Sequence, residues 1–189
     1  MKVAELALLI TGSFIEELYR EDLAEAERVR TAGCPHCGGV LHLARYPRKA
    51  RGVAELPELE RRESFCCARC RRRSTPKSVR FLGRRVYLAL CIVGALILRS
   101  GGTRVAKVCA CVGMSAETLR NWTRWWFDRV QHSRWWQVAR THLMPALEEP
   151  NFISELYGRF LGHAEGVKAA FQKLLIFVSP ITVPAEYPN

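Results

Sequence analysis

Long apolar runs are missing from this sequence. The longest apolar run, Val86 to Leu98, has thirteen residues, short of the roughly 18 to 20 that a helix needs to span a bilayer. That excludes a transmembrane protein. A secretory leader is not expected either: Val3 to Ile10 follow Lys2, but Glu5 interrupts them, Glu16 and Glu17 follow, and no small-residue cleavage site stands in the expected place. The expected location is cytoplasmic. Internal repeats and low-complexity segments are absent, which removes solenoids and fibrous classes. Acidic residues are scarce in the middle: residues 61–85 hold one, Glu63, against ten basic side chains.

What is present starts with that charge. Twenty-nine Lys and Arg against eighteen Asp and Glu give +11, and residues 99–140 add eight basic side chains against two acidic ones. Residues 1–33 and 141–189 are mildly acidic. A basic middle attracts phosphates through counterion release, whatever the base sequence. With 49% hydrophobic residues, eight Phe, five Trp and five Tyr, the chain has a globular composition. Its 189 residues allow one ordinary domain or two small ones.

The eight cysteines fall into two groups. Cys34, Cys37, Cys66, Cys67 and Cys70 lie in polar surroundings, and Cys91, Cys109 and Cys111 in apolar ones. Cys34-Pro35-His36-Cys37-Gly38-Gly39 has the form of a zinc knuckle: a two-residue gap aims both thiolates at one ion, and the glycines permit positive φ where the chain turns. Cys67-Ala68-Arg69-Cys70 is a second knuckle, so Cys34, Cys37, Cys67 and Cys70 complete a tetrahedral set for Zn2+. Cys66 is an alternative third ligand through a C-x3-C spacing. His36 and His42 read as a surface and a strand histidine. Val40–Ala44, Ser64–Cys66 and Arg71–Ser74 fit the strands of a zinc ribbon, in which metal-binding energy becomes folding energy. Redox chemistry would place C-x-x-C at a helix start, and disulfides would need an oxidising compartment; neither fits. Cys91, Cys109 and Cys111 read as small buried hydrophobes.

After the ribbon, Arg84 to Leu98 reads as a buried helix ending at Ser100-Gly101-Gly102. Val108, Val112, Met114, Leu119 and Trp122 then occupy the apolar positions of a helix-turn-helix. Gly113 stands at the left-handed turn, Ser115 at the N-cap, and Glu117 in the first turn of a helix from about Ala116 to Val130. Cys109 takes the place where alanine usually lets the two helices touch. In this geometry Ser115, Ala116, Glu117, Arg120, Asn121 and Arg124 face base edges in a major groove. Arg120 suits guanine, Asn121 adenine and Glu117 cytosine. Arg104, Lys107, Arg129, Arg71, Arg72 and Arg73 suit phosphates. All five tryptophans lie within Trp122 to Trp136; Leu119, Trp122 and Trp126 recur opposite Arg120 and Arg124, so they read as core rather than as a base-stacking platform.

At the ends, Ser13-Phe14-Ile15-Glu16 has a capping-box pattern opening an acidic amphipathic helix, and Val167, Phe171, Leu174, Leu175 and Val178 form an apolar stripe that stops near Pro180. Arg45 to Arg62 reads as a basic loop inside the ribbon. The expected architecture is mainly α with a small β zinc ribbon (α+β) and a three-helical helix-turn-helix core. The expected divisions are an acidic helical segment at 1–33, the ribbon at 34–80, a DNA-binding domain at 81–140 and a helical segment at 141–189.

The order of Cys34-Pro35-His36-Cys37-Gly38, Cys67-Ala68-Arg69-Cys70-Arg71-Arg72-Arg73 and the turn at Gly113-Met114-Ser115 with Trp122 resembles the N-terminal DNA-binding half of bacterial insertion-sequence transposases over residues 34 to about 130. The resemblance implies recognition of element ends by ribbon and helix-turn-helix, with cutting and joining done by a following RNase H-like domain bearing three metal-binding carboxylates. After Val130 the acidic residues are Glu148, Glu149, Glu155, Glu165 and Glu186, and fifty-nine residues are too few for the mixed sheet such a triad needs. The resulting expectation is a double-stranded DNA-binding protein, transposon-associated or regulatory. A homodimer is compatible with it, and neither a membrane nor a small-molecule substrate is expected. A transposase or nuclease component completed by a partner chain, and a protein-interaction adaptor, are the competing classes.

Overall fold

The computed structural model describes residues 1–10, 12–44, 46–47, 61–82, 88–147 and 152–182. Helix α1 (Val3–Leu9) buries Leu6 and Leu9, and the Lys2 amide donates to the Glu5 carboxylate at 2.6 Å across its first turn. Helix α2 (Gly12–Ala32) follows. Its inward residues recur at three- and four-residue steps: Phe14, Ile15 and Leu18 at one end, Asp22 and Ala26 toward the other. Ser13, expected as an N-cap, lies inside the first turn of α2, because the helix already begins at Gly12.

Five short strands come next: β1 (Leu41–Leu43), β2 (Tyr46–Pro47), β3 (Arg61–Arg62), β4 (Phe65–Cys67) and β5 (Arg73–Ser74). Three of them form an antiparallel sheet in the order β1-β4-β5, with Leu41 opposite Cys67 and Phe65 opposite Ser74. The segment read as a loop from Arg45 to Arg62 is closed at its base by β2 and β3, with Tyr46 opposite Arg62; residues 48–60 lie outside the described ones.

Helix α3 (Ala89–Ser100) is the centre of the molecule and is buried from Ala89 through Leu98. The expected start at Arg84 is not what the chain does at Leu88, which is extended and bridges Phe81, so the helix opens at Ala89. Residues 83–87 are outside the described set. Gly94 lies against Leu6: a Cβ there would stand 2.4 Å from Leu6 Cδ1, so a larger residue would have to displace the buried Leu6 side chain.

Helix α4 (Val105–Val112) and helix α5 (Ala116–Trp125) pack on α3 and on each other. The expected α-helix to Val130 ends at Trp125 and widens into a π-turn, Trp126–Val130, in which the Gln131 amide reaches back to the Trp126 carbonyl at 3.3 Å. The wider turn keeps Trp126, Val130 and Gln131 all facing inward. Helix α6 (Arg134–Ala139) is capped by Ser133, whose hydroxyl accepts the Trp136 amide at 3.2 Å. Helices α7 (Phe152–Gly162) and α8 (Val167–Val178) complete the core. Ala170, Phe171, Leu174, Leu175 and Val178 are buried on α8.

The tryptophans belong to this core. Trp122, Trp126 and Trp136 are buried, and Phe152 stacks between the last two at 5.7 and 4.5 Å. Trp125 and Trp135 are half-buried. A second, smaller apolar cluster consists of Ala26, Cys34, Leu41, Phe65 and Cys67 beneath the sheet.

A polar clasp joins the ribbon's exit to α2. Asp22 accepts from the Ser78 hydroxyl and the Val79 amide, each at 2.7 Å, and from Arg80 Nε at 2.8 Å. The Arg80 guanidinium also donates to the Arg61 carbonyl at 2.7 Å and lies over the Tyr19 ring. Burial pushes the Asp22 carboxyl up, and Arg80, Ser78 and Val79 pull it back. A wholly buried arginine is tolerated because its carboxylate and carbonyl partners satisfy it.

Candidate metal centre and basic helix face

The two C-x2-C loops meet at the end of α2, where Val29 and Ala26 pack against them. The sulfurs of Cys34, Cys37, Cys67 and Cys70 all lie within 4.8 Å of one another. Cys34 Sγ is 3.6 Å from Cys70 Sγ, and Cys37 Sγ is 3.5 Å from Cys67 Sγ. Tetrahedral bonds of about 2.3 Å to Zn2+ put sulfurs about 3.8 Å apart, so the cluster has the size of a closed four-cysteine site. These four residues lie close enough to hold a metal ion such as zinc.

The backbone of the loops shapes this cage. Cys34 N donates to the Gly39 carbonyl at 2.9 Å, and the Gly38 amide to the Cys34 carbonyl at 2.8 Å. Gly38 has φ 68°, the left-handed turn expected of it. Gly39 is needed for a different reason: a Cβ there would stand 3.0 Å from Cys67 Sγ and 3.3 Å from Cys37 Sγ. In the second loop the matching left-handed position is held by Arg71 at φ 60°, at a cost of about 1–2 kcal/mol for a residue with a Cβ.

The electrostatics are those of crowded thiols. The Cys70 amide, at 3.4 Å, is the main cause that brings Cys67 down to about 6; the Arg69 amide and the neighbouring thiols assist, and burial opposes. The Arg72 amide lowers Cys70, but burial and the thiols of Cys37, Cys34 and Cys67 push it up to about 12. One thiolate forms readily and a second beside it does not, which is the pattern a dication at the centre relieves.

Cys66 is not part of the cluster. Strand alternation turns its sulfur away, toward the Arg71 carbonyl at 3.5 Å. His36 is exposed and meets Arg72 Nη1 through its Nδ1 at 3.2 Å, and His42 is exposed on β1. Cys91 is wholly buried, and burial, with Cys111 nearby, pushes its thiol up to about 12. Cys109 and Cys111 are half-buried against the main core.

Every residue singled out for DNA contact is exposed: Arg71, Arg72, Arg73, Arg104, Lys107, Ser115, Ala116, Glu117, Arg120, Asn121, Arg124 and Arg129. Gly113 ends α4 with φ 61°, and the Ser115 hydroxyl accepts the Thr118 amide at 3.1 Å. Its oxygen is therefore committed to the cap. The opposite face of α5 buries Leu119 and Trp122, and Trp126 continues that face.

Sequence reasoning does not find the conformation of Arg71, the contact of Gly39 with two sulfurs, or the Asp22–Arg80 clasp. The signal for Gly39 is present in the tandem glycines, which read as turn-making alone.

Among the described residues, no helix is long and apolar enough to cross a membrane. No family model, curated protein or solved structure matches the chain.

Proposed function

We propose that this chain is a double-stranded DNA-binding protein in which Cys34, Cys37, Cys67 and Cys70 hold a structural Zn2+ and α4 and α5 act as a helix-turn-helix. The observation that carries the reading is the division of α5: Leu119 and Trp122 are buried, while Glu117, Arg120, Asn121 and Arg124 are exposed together. A helix so divided, entered through a left-handed glycine and a serine cap, can lie in a major groove while its back remains in the core.

In this arrangement Arg120 reads guanine and Asn121 adenine through paired hydrogen bonds, and Glu117 accepts from cytosine. Ala116 stands at the leading end, Ser115 fixes that end through its cap, and Arg124 extends the contact. Arg104 and Lys107 at the start of α4, and Arg71, Arg72 and Arg73 on the ribbon, neutralise phosphates. The metal supplies folding energy to the ribbon and no chemistry. The sequence order of ribbon and helix pair supports a role in recognising the ends of a mobile element, or in regulation.

Selection from a random duplex pool gives the site. Arg120→Ala should then lose about 1–3 kcal/mol at that site, and Lys107→Ala should weaken all duplexes alike and flatten the salt dependence. Equal small losses from both variants on every duplex would overturn base reading by α5.

A further inference from the structure

A cavity of about 530 Å³ opens between the end of α3 and one edge of α5, within the range of about 300–1,000 Å³ typical of small-molecule sites. Its accessible apolar wall is formed by Val105, Ala116 and Phe127, with Leu96, Leu119 and Ile153 buried behind them, and its cationic side is formed by Arg99, Arg120 and Arg124. Among the described residues no carboxylate pairs with any of these three arginines. The Arg99 guanidinium donates to the Thr103 carbonyl, which holds it at the end of α3. The Trp126 indole N–H is buried without an acceptor among the described residues.

An apolar chamber fringed by three guanidiniums with no carboxylate partner among the described residues selects its occupant. A neutral hydrocarbon leaves the arginines unanswered, and a bare phosphate leaves the apolar wall uncovered. A duplex is far too wide to enter. An organic monocarboxylate with an apolar body answers both surfaces: guanidinium forks take carboxylate oxygens in pairs, and the body covers Val105, Ala116 and Phe127.

We infer that this cavity binds an amphiphilic monocarboxylate, and that binding competes with DNA because Arg120 and Arg124 serve both. The competition rests on the reading of α5 as the DNA-contacting helix; the binding does not.

The test titrates the full-length, metal-loaded protein by calorimetry with dodecanoate and with 2-naphthoate, each below its aggregation threshold, and with dodecanol as the uncharged control. Saturable binding of at least one carboxylate, at least tenfold tighter than dodecanol, is expected, and which one binds tells a flexible from a flat body. Arg99→Gln should weaken it at least tenfold. Thr123→Trp, placed to fill the cavity, should abolish it, with circular dichroism confirming the fold of each variant. Absence of saturable binding by both acids, equal binding of dodecanol, or indifference to Arg99→Gln in a folded variant would overturn the site. In a second arm the bound acid should displace a labelled duplex, and Arg99→Gln should keep its duplex affinity while losing that response. Displacement failing while calorimetric binding persists would overturn the competition alone. A protein that binds no duplex would instead sink the DNA reading, with the calorimetry still deciding the cavity.

Discussion

Replacing Cys67 by serine removes the most deeply buried ligand of the proposed metal centre. Its sulfur faces Cys37 Sγ at 3.5 Å and accepts the amides of Arg69 and Cys70 at 3.3 and 3.4 Å. Apart from the cysteines, the buried apolar support beneath the ribbon is Ala26, Leu41 and Phe65. Burying Leu41 and Phe65 contributes about 3–6 kcal/mol together, whereas a structural Zn2+ contributes an apparent ~10–16 kcal/mol at neutral pH. The metal is the larger share, so Cys67→Ser should unfold the segment from Gly33 to Ser74 and spare the helices around α3, whose side chains belong to the other cluster. Metal content after denaturation and a 1H–15N correlation spectrum measure both halves of the claim: zinc should vanish, and ribbon amides should collapse to unfolded positions while those of α3, α7 and α8 hold. Cys66→Ser is the internal control, since that sulfur points to the Arg71 carbonyl; it should keep a single zinc ion and a native spectrum. The reasoning fails if Cys66→Ser loses as much metal as Cys67→Ser, or if the Cys67 variant keeps its ribbon amides dispersed.

Three further perturbations follow from the packing. Gly94→Ala drives a Cβ into Leu6 and should cost about 1–3 kcal/mol, read as a lower denaturation midpoint with an unchanged slope. Asp22→Ala strands the buried Arg80 guanidinium and should cost about 3–5 kcal/mol; the double change Asp22→Leu, Arg80→Met removes the stranded charge but orphans the Ser78 hydroxyl and the Val79 amide, so it should recover only part of the loss, and a double variant no less stable than the native protein would count against the clasp. Arg71→Gly relieves a left-handed residue and should stabilise the ribbon by about 1–2 kcal/mol, seen as slower release of the metal to a chelator, while weakening duplex binding non-specifically through the lost charge.

Much of the candidate site can be read from local spacing. Two C-x2-C pairs point to four ligands because the chemistry of a tetrahedral ion acts over neighbouring residues, and Gly113 with Ser115 marks a turn and a cap for the same reason. The choice between Cys66 and Cys67 is not local: it depends on the pairing of β4 with β1, which sets which of two adjacent side chains faces inward. The π-turn at Trp126 differs from an α-helix by one step in hydrogen bonding, too small a difference to leave a trace in residue spacing. Helix α1 is hidden because seven residues interrupted by Glu5 look like a failed leader. The Asp22–Arg80 bond joins residues 58 apart, and nothing in either neighbourhood announces the other. The apolar stripe of α8 is legible in the spacing of Phe171, Leu174, Leu175 and Val178.

Helix α2 carries Phe14, Ile15 and Leu18 in one apolar cluster and Ala26 in the other. Its 21 residues make a rod about 31 Å long that is both spacer and protractor. Inserting one residue between Leu18 and Asp22 would swing everything beyond it through about 100° around the rod's axis, out of phase with the clasp at Arg80. The heading of the cysteine-bearing tip relative to α5 is thus written in the phase of a single helix, and any partner that grips both ends at once would feel a one-residue change as a wrench.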